Sequence, residues 1–261
     1  DTVIMADDSK YIGNIDFGTG PATMTMGGNS RFTGTLIFND QPATLTLNDS
    51  SIWRGTVTGG SQATVNVNSG LFAANATGNI AVNSLNVGAN GTLGVYVDGT
   101  TGTSSTFVTN TATFASGSKI TASLTSIAKA EGTYTVLTSN GLTGASNLSA
   151  SNLALPVLYA GTLATQGNNL QLTIARKTAA QLGLTAAQGA IYNPIIAQAQ
   201  ALTAAGGTPS ALETDLLQVA DAPTLQAQFN QLMPDYAGGV FDFVTRGSRL
   251  AAQHVQDDSS L

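Results

Sequence analysis

Ala22-Thr23-Met24-Thr25-Met26, Ala43-Thr44-Leu45-Thr46-Leu47 and Ala63-Thr64-Val65-Asn66-Val67 are one motif written three times, Ala22 to Ala43 being 21 residues and Ala43 to Ala63 a further 20. Ser84-Leu85-Asn86-Val87 reads as the next copy, 21 residues after Ala63. The segments between them correspond too. Arg31-Phe32-Thr33-Gly34-Thr35-Leu36, Ile52-Trp53-Arg54-Gly55-Thr56-Val57 and Leu71-Phe72-Ala73-Ala74-Asn75-Ala76 hold one phase of the unit, and Tyr11-Ile12-Gly13-Asn14-Ile15 belongs to a truncated unit before them.

Within each unit, apolar residues alternate with Thr or Asn over four or five positions, and the pattern then breaks at Gly, Asn or Asp. Period-two alternation marks short strands with one buried face. A five-residue strand cannot bury that face alone. Stacking successive units as coils pairs like strands and builds a continuous core. The fold class this predicts is mainly β, a right-handed parallel β-helix (solenoid) followed by a C-terminal helical segment. A leucine-rich horseshoe has a similar period, but its L-x-x-L-x-L-x-x-N frame is absent, as is the calcium-binding G-G-x-G-x-D nonapeptide. Gly27-Gly28-Asn29, Asn48-Asp49 and Gly59-Gly60 supply the positive φ that tight corners require. Phe32, Trp53 and Phe72 share a phase and are expected to stack inward rather than to form a carbohydrate platform. Beyond about residue 100 the period blurs, with Thr106-Phe107-Val108, Ala112-Thr113-Phe114 and Lys119-Ile120-Thr121-Ala122 reading as short separate strands.

Composition narrows the function classes. The 261 residues can bury a substantial core in one or two domains, yet charged residues make up only 9%, against 29 glycines. Net charge is -6, and nine Lys plus Arg are scattered over the whole length, so nucleic acid is not expected as a partner. The lack of cysteine excludes disulfides and Cys-ligated metals and suits a chain that crosses the bacterial periplasm unfolded. No apolar run reaches the roughly 18 residues of a spanning helix, and Asp1-Thr2-Val3-Ile4 does not resemble a signal peptide, so an internal fragment or a processed chain is expected.

No constellation of catalytic residues stands out. His254 is the single histidine, which rules out a His-rich metal site. Asp7, Asp8, Asp16, Asp40, Asp49 and Asp98 mostly sit beside Gly, Asn or Ser and read as turn residues. Gly18-Thr19-Gly20 is not followed by the Gly-Lys-Ser or Gly-Lys-Thr of a phosphate loop. The expected chain is not an enzyme and has no catalytic residue, cofactor or metal.

At Thr178 the composition shifts to Gln, Ala and Leu. Ile191, Tyr192, Ile195, Ile196, Ala199 and Leu202 form a helical stripe that Pro194 would kink or start late, and Gly206-Gly207 ends it. A second helix is predicted with Thr208 as N-cap and Pro209 at N1, facing a partner with Leu212, Leu216, Leu217 and Ala220. Asp221 would cap a third, carrying Leu225, Phe229 and Leu232 up to Met233-Pro234. These helices are expected to pack together or on the end of the β core. Tyr236 to Gln256 would span about 31 Å as a helix, close to a bilayer's apolar thickness. Its Arg246, Arg249, Gln253 and His254 suit a water-filled barrel lumen rather than lipid. An ordinary amphipathic surface helix is the alternative reading.

Two stretches carry a family resemblance. Gly132-Thr133-Tyr134-Thr135-Val136-Leu137, Leu158-Tyr159-Ala160-Gly161 and Asn169-Leu170-Gln171-Leu172-Thr173-Ile174-Ala175-Arg176-Lys177 form the first. Gln231-Leu232-Met233-Pro234-Asp235-Tyr236-Ala237-Gly238-Gly239-Val240-Phe241 with Ser248-Arg249-Leu250-Ala251-Ala252 form the second. The first resembles the C-terminal passenger region of classical monomeric (type V) autotransporters, and the second the segment just before their translocator barrel. The resemblance implies a β-helix passenger stem over 1–125 and an autochaperone-like β cap over 126–177, with Tyr134, Val136, Leu137, Leu170, Leu172 and Ile174 as its residues. It implies a helical linker over 178–233 and a pore-threading helix over 234–261, with Val240, Val244, Arg246, Arg249 and His254 in the pore. The implied partner is the protein's own outer-membrane β-barrel, beyond Leu261, and the implied location is the bacterial cell surface, with release a further option. No Asn-Asn pair like that of self-cleaving members occurs between Pro234 and Leu261. The expected role is non-catalytic: nucleating folding and supporting secretion and display. The alternatives are adhesion to other cells or to copies of itself through the β-helix faces, and a stalk for an enzyme domain upstream.

Overall fold

The computed structural model describes residues 1–232. The expected pore helix and its residues Val240, Val244, Arg246, Arg249 and His254 lie outside the described residues. The architecture is mainly β, one large sheet of mixed parallel and antiparallel pairing followed by three helices.

The strands are β1 (Thr2–Met5), β2 (Lys10–Ile12), β3 (Ile15–Asp16), β4 (Ala22–Met26), β5 (Arg31–Ile37), β6 (Ala43–Leu47), β7 (Ile52–Thr58), β8 (Ala63–Ala74), β9 (Gly78–Asp98), β10 (Thr103–Phe114), β11 (Lys119–Leu124), β12 (Gly132–Thr143), β13 (Leu153–Ala154), β14 (Tyr159–Gln166) and β15 (Asn169–Arg176). The three quoted motifs are β4, β6 and the start of β8. They pair in parallel, Met24 with Leu45 and Leu45 with Val65. The intervening phase pairs likewise, Phe32 with Trp53 and Trp53 with Phe72. β8 carries both phases: its first half pairs with β6 and its second with β7, the chain turning near Gly70 at φ 77°.

Three details differ from the sequence reading. Ser84 pairs with Thr64, an offset of 20 rather than 21. The first unit is not truncated at Tyr11, because Thr2–Met5 pairs with Thr23–Met26. The strands past residue 100 are longer than expected, with Thr106 through Phe114 lying in the single strand β10. β10 starts as a hairpin, Thr103 and Ser104 opposing Asp98 and Val97, and its partners then rise in step from Ser105–Gly78 to Phe114–Val87. The hairpin lengthens the unit that contains it, so that Thr92 pairs with Lys119 at an offset of 27, and the loop between β11 and β12 lengthens the next, Phe107 pairing with Leu137 at 30.

The inward faces form one continuous apolar core from Met5 to Phe229. Because like residues stack at like phase, Tyr11, Phe32, Trp53 and Phe72 make a column, and Phe107, at the phase of Ile80, abuts its end. Tyr11–Phe32, Phe32–Trp53, Trp53–Phe72 and Phe72–Phe107 centroids are 5.6, 6.2, 4.4 and 5.6 Å apart. Phe32, Trp53 and Phe72 are fully buried, so they offer no platform to a ligand. Corner residues repeat with the same period: Asp7, Gly28 and Asp49 all have φ between 54° and 61°.

The helices are α1 (Ala186–Gly206), α2 (Ala211–Gln218) and α3 (Ala222–Leu232). α1 opens with a capping box between Thr185 and Gln188 and ends at Gly207, φ 68°. It runs through Pro194 rather than breaking there. Pro194 and Ala190 are both exposed, so the carbonyl freed by proline faces water. The buried stripe is Gln188, Tyr192, Ile196, Ala199 and Thr203, while Leu202 is 46% exposed. The N-cap of α2 is Ser210, whose hydroxyl accepts from the Glu213 amide, and Thr208 and Pro209 precede the helix. Its buried face is Glu213 and Leu216 with Val219 just beyond, and Ala220 is exposed. Asp221 accepts from the Thr224 amide at the start of α3, as its position suggests. Leu225 and Phe229 are fully buried.

Candidate functional site

The sequence places the candidate site at the end of the parallel stack, and there the pairing changes direction. β12 lies parallel to β10 on one side and antiparallel to β15 on the other, and β14 closes the edge as a hairpin partner of β15. A parallel ladder left open presents a row of unpaired amides and carbonyls, whereas a hairpin folded across it satisfies the row with its own chain.

The six cap residues come together in this layer. Tyr134 pairs with Leu172 and Leu137 with Leu170, while Gly132 pairs with Ile174. Tyr134, Val136, Leu137, Leu170, Leu172 and Ile174 are all buried while Thr135, Gln171 and Thr173 between them are not, as in strands with one buried face. Strict alternation cannot bury the neighbours Val136 and Leu137 together. The register shift between Thr135 and Leu137 does so, since a bulge turns two successive side chains to one face. The Tyr134 hydroxyl donates to the carbonyl oxygens of Lys129 and Ala130 at 3.1 and 2.9 Å, tying the strand to the loop before it. Burial pushes the Tyr134 phenol above its ordinary value.

The helices lie against this cap. The Arg176 side chain reaches Glu131 at 3.8 Å and sits over the Tyr192 ring, 5.7 Å from its centroid. The Tyr192 hydroxyl donates to the Lys177 carbonyl at 2.9 Å, and Gln200 Nε2 to the Ile127 carbonyl at 3.1 Å. Burial raises the Tyr192 phenol, partly opposed by Arg176. Tyr159 is raised further, first by burial and then by the charge of Glu131.

Sequence reasoning missed one cluster. Glu213, fully buried, accepts hydrogen bonds from the Ser126 hydroxyl at 2.5 Å, the Ile127 amide and the Thr203 hydroxyl. Its place in the third position of α2 identifies a helix start, and nothing local shows that its carboxylate points inward. Gln188 is likewise buried, donating to the Gln226 carbonyl and to Asn230.

Asp7, Asp8, Asp40 and Asp49 occupy turns, while Asp16 and Asp98 end strands β3 and β9. Asp16 accepts from the Gly18 amide and from Asn39, which hold its carboxyl below the ordinary range. Asp49 accepts from the Gly28 amide, Asp40 from the Ser61 hydroxyl and Asp8 from Asn29, each 21 residues away. Among the described residues no three of His, Cys, Asp and Glu gather as metal ligands would. Open clefts exist, one of about 500 Å³ bordered by Asp49, Ile52, Leu71, Asn90 and Lys119. No pair of groups in it is joined as an acid or base to a nucleophile. Compared with protein-family models, with curated proteins and with solved structures, the chain finds no match in any of the three.

Proposed function

We propose that the chain is the membrane-proximal stem of a classical monomeric autotransporter passenger. In this reading the parallel-paired units of 1–125 wind as coils of a right-handed parallel β-helix, 126–177 is the autochaperone-like cap, and 178–233 links the cap to a pore-threading segment, 234–261. The stem is non-catalytic. Its cap folds first outside the outer membrane, and each coil then finds a finished edge to pair with, which favours secretion and holds the passenger at the cell surface.

The observation that supports this reading is the reversal of strand direction at β12–β15–β14, in the stretch that carries the family resemblance. A nucleus for stepwise coil addition needs local pairing of its own, because loop-closure entropy opposes non-local parallel pairing until a template exists. The β14–β15 hairpin supplies such local pairing, with eight paired positions between Tyr159–Arg176 and Gln166–Asn169. The test is deletion of Glu131 to Lys177 in the secreted full-length protein. Surface-displayed stem should be lost, and display at the unaltered level would remove the reading.

A second reading, adhesion to other cells or to copies of the chain, is favoured by one face of the sheet. Thr23, Thr25, Thr44, Thr46, Thr64, Asn66, Ser84, Asn86, Thr111 and Thr113 alternate with the buried residues of β4, β6, β8, β9 and β10, and none is charged. Asn66 and Asn86 are joined at 2.9 Å, and Thr111 and Ser84 at 3.0 Å. Charge placed on this face, as in T25K with T46K, should abolish clumping of cells that display the stem while leaving its folding intact.

A further inference from the structure

We infer that Glu213 is a clip: the three helices form a strap that closes over the end of the β core in one position, and only once the loop following β11 has formed.

The argument begins with what a buried carboxylate needs. Taking one out of water is costly, and it survives only where donors converge on both oxygens. Glu213 has three such donors, and they come from two separate parts of the chain. The Ser126 hydroxyl and the Ile127 amide donate to Oε1 from the loop after β11, and the Thr203 hydroxyl donates to Oε2 from the last turn of α1. The carboxylate itself belongs to α2, whose start is held by Ser210. Ser126, Thr203 and Glu213 are all essentially inaccessible to solvent. Among the described residues the one ion pair is that of Arg176 with Glu131, so Glu213 rests on neutral donors alone.

Such a contact adds little net stability, since the desolvation of the carboxylate offsets much of what its donors return, yet removing the acceptor alone leaves three buried donors unpaired. The contact gives a positional requirement instead. If the loop is unformed, two donors are missing. If α1 slides or rotates by one residue, Thr203 leaves. In either case a charge is stranded in an apolar seam, and the docked state is lost rather than adjusted. Of the other polar contacts across the seam, Gln200 to Ile127 involves the same loop, while Tyr192 meets the Lys177 carbonyl and the Arg176 guanidinium at the end of β15. The strap therefore reports on completion of the cap. This inference does not depend on the secretion reading, since it concerns how two parts of one chain are coupled.

The test is amide hydrogen exchange on the whole chain carrying Glu213→Leu, which keeps the volume and accepts nothing. Exchange in 186–232 should accelerate roughly 10- to 100-fold, while β4 through β10 keep their protection. Ser126→Ala should accelerate the same helical amides in the native background and add little in the Glu213→Leu background, the non-additivity of groups that act through one contact. Thr203→Val cuts the tie from the helix side and serves if Glu213→Leu does not fold. Unchanged helical exchange, simultaneous loss in helices and strands, or additive effects of the two substitutions would each overturn the clip.

Discussion

Gly55 has no room for a side chain. A Cβ there would lie 1.7 Å from the Gly34 carbonyl oxygen, and one on Gly34 would lie 1.8 Å from that of Gly13. The three glycines occupy one phase of successive units and let the backbones meet. Gly55→Ala must push two paired strands apart in a packed core, so it should lower unfolding free energy by about 2 kcal/mol or more, read as a fall in the urea midpoint at unchanged slope. Asp98 gives a residue-level dependence on pH. Partial burial pulls its carboxyl upward, but hydrogen bonds from the Thr101 hydroxyl, from the Thr100 and Thr101 amides and from Thr125 outweigh it, and its folded-state value lies below the ordinary one. The unfolded chain then binds the proton more readily. The stability Asp98 contributes is complete above the ordinary carboxylate range and is lost as pH falls toward the folded-state value. Denaturant titrations from neutral pH downward should show a shallower acid decline in Asp98→Asn than in the native chain, and parallel curves would count against these bonds.

Elements were legible in the sequence where a repeat or a cap restates itself, and obscure where one contact decides. The parallel pairing of β4, β6 and β8 follows from three copies of one motif, since copies at equal phase can share a single register. The lengthening of the unit between Thr92 and Lys119 was hidden because the Asp98–Thr103 hairpin inserts residues without disturbing the apolar alternation on either side. In the cap, all six expected residues are buried, but the bulge that turns Val136 and Leu137 to the same face has no sequence mark. At α2 two hydroxyl residues competed for one role. Thr208 followed by Pro209 fits the pattern of a helix start, yet the helix begins at Ala211 with Ser210 as its cap. Ser210→Ala should therefore destabilise the helical segment by about 1 kcal/mol, whereas Thr208→Ala should leave it unchanged. Helical circular dichroism during thermal unfolding of the two variants distinguishes them, and the reverse order would restore the earlier start.

At the scale of the whole molecule, the governing fact is that each unit touches chiefly its neighbours, so stability is a sum of units and the interfaces between them. β4 is paired on both sides, by β1 and by β6, while among the described residues β1 pairs with β4 alone. The first unit also differs in chemistry. Ile4 stands at the phase of Thr25 and is 73% exposed, and Ile12 stands at the phase of Thr33 and is 86% exposed. Tyr11, which begins the aromatic column, is 41% exposed, whereas Phe32 and Trp53 are fully buried. At the opposite end the last parallel strand is covered by β15, and the helices lie against the cap. Among the described residues one end is thus covered by β15 and by the helices, and the first unit has a single interface. Amide exchange of this chain should be graded along the stack, with Thr2–Asp16 opening about tenfold or more faster than Ala22–Leu47, and the slowest amides in β8 to β12. Introducing the apolar-to-alanine change Leu45→Ala should speed exchange in β4 and β6 and leave β12 and β15 near their native rates. A uniform rate across all units, or an equal response of β15 to Leu45→Ala, would mean that the sheet and helices open as one cooperative body, and nearest-neighbour stacking would then fail as the description of this fold.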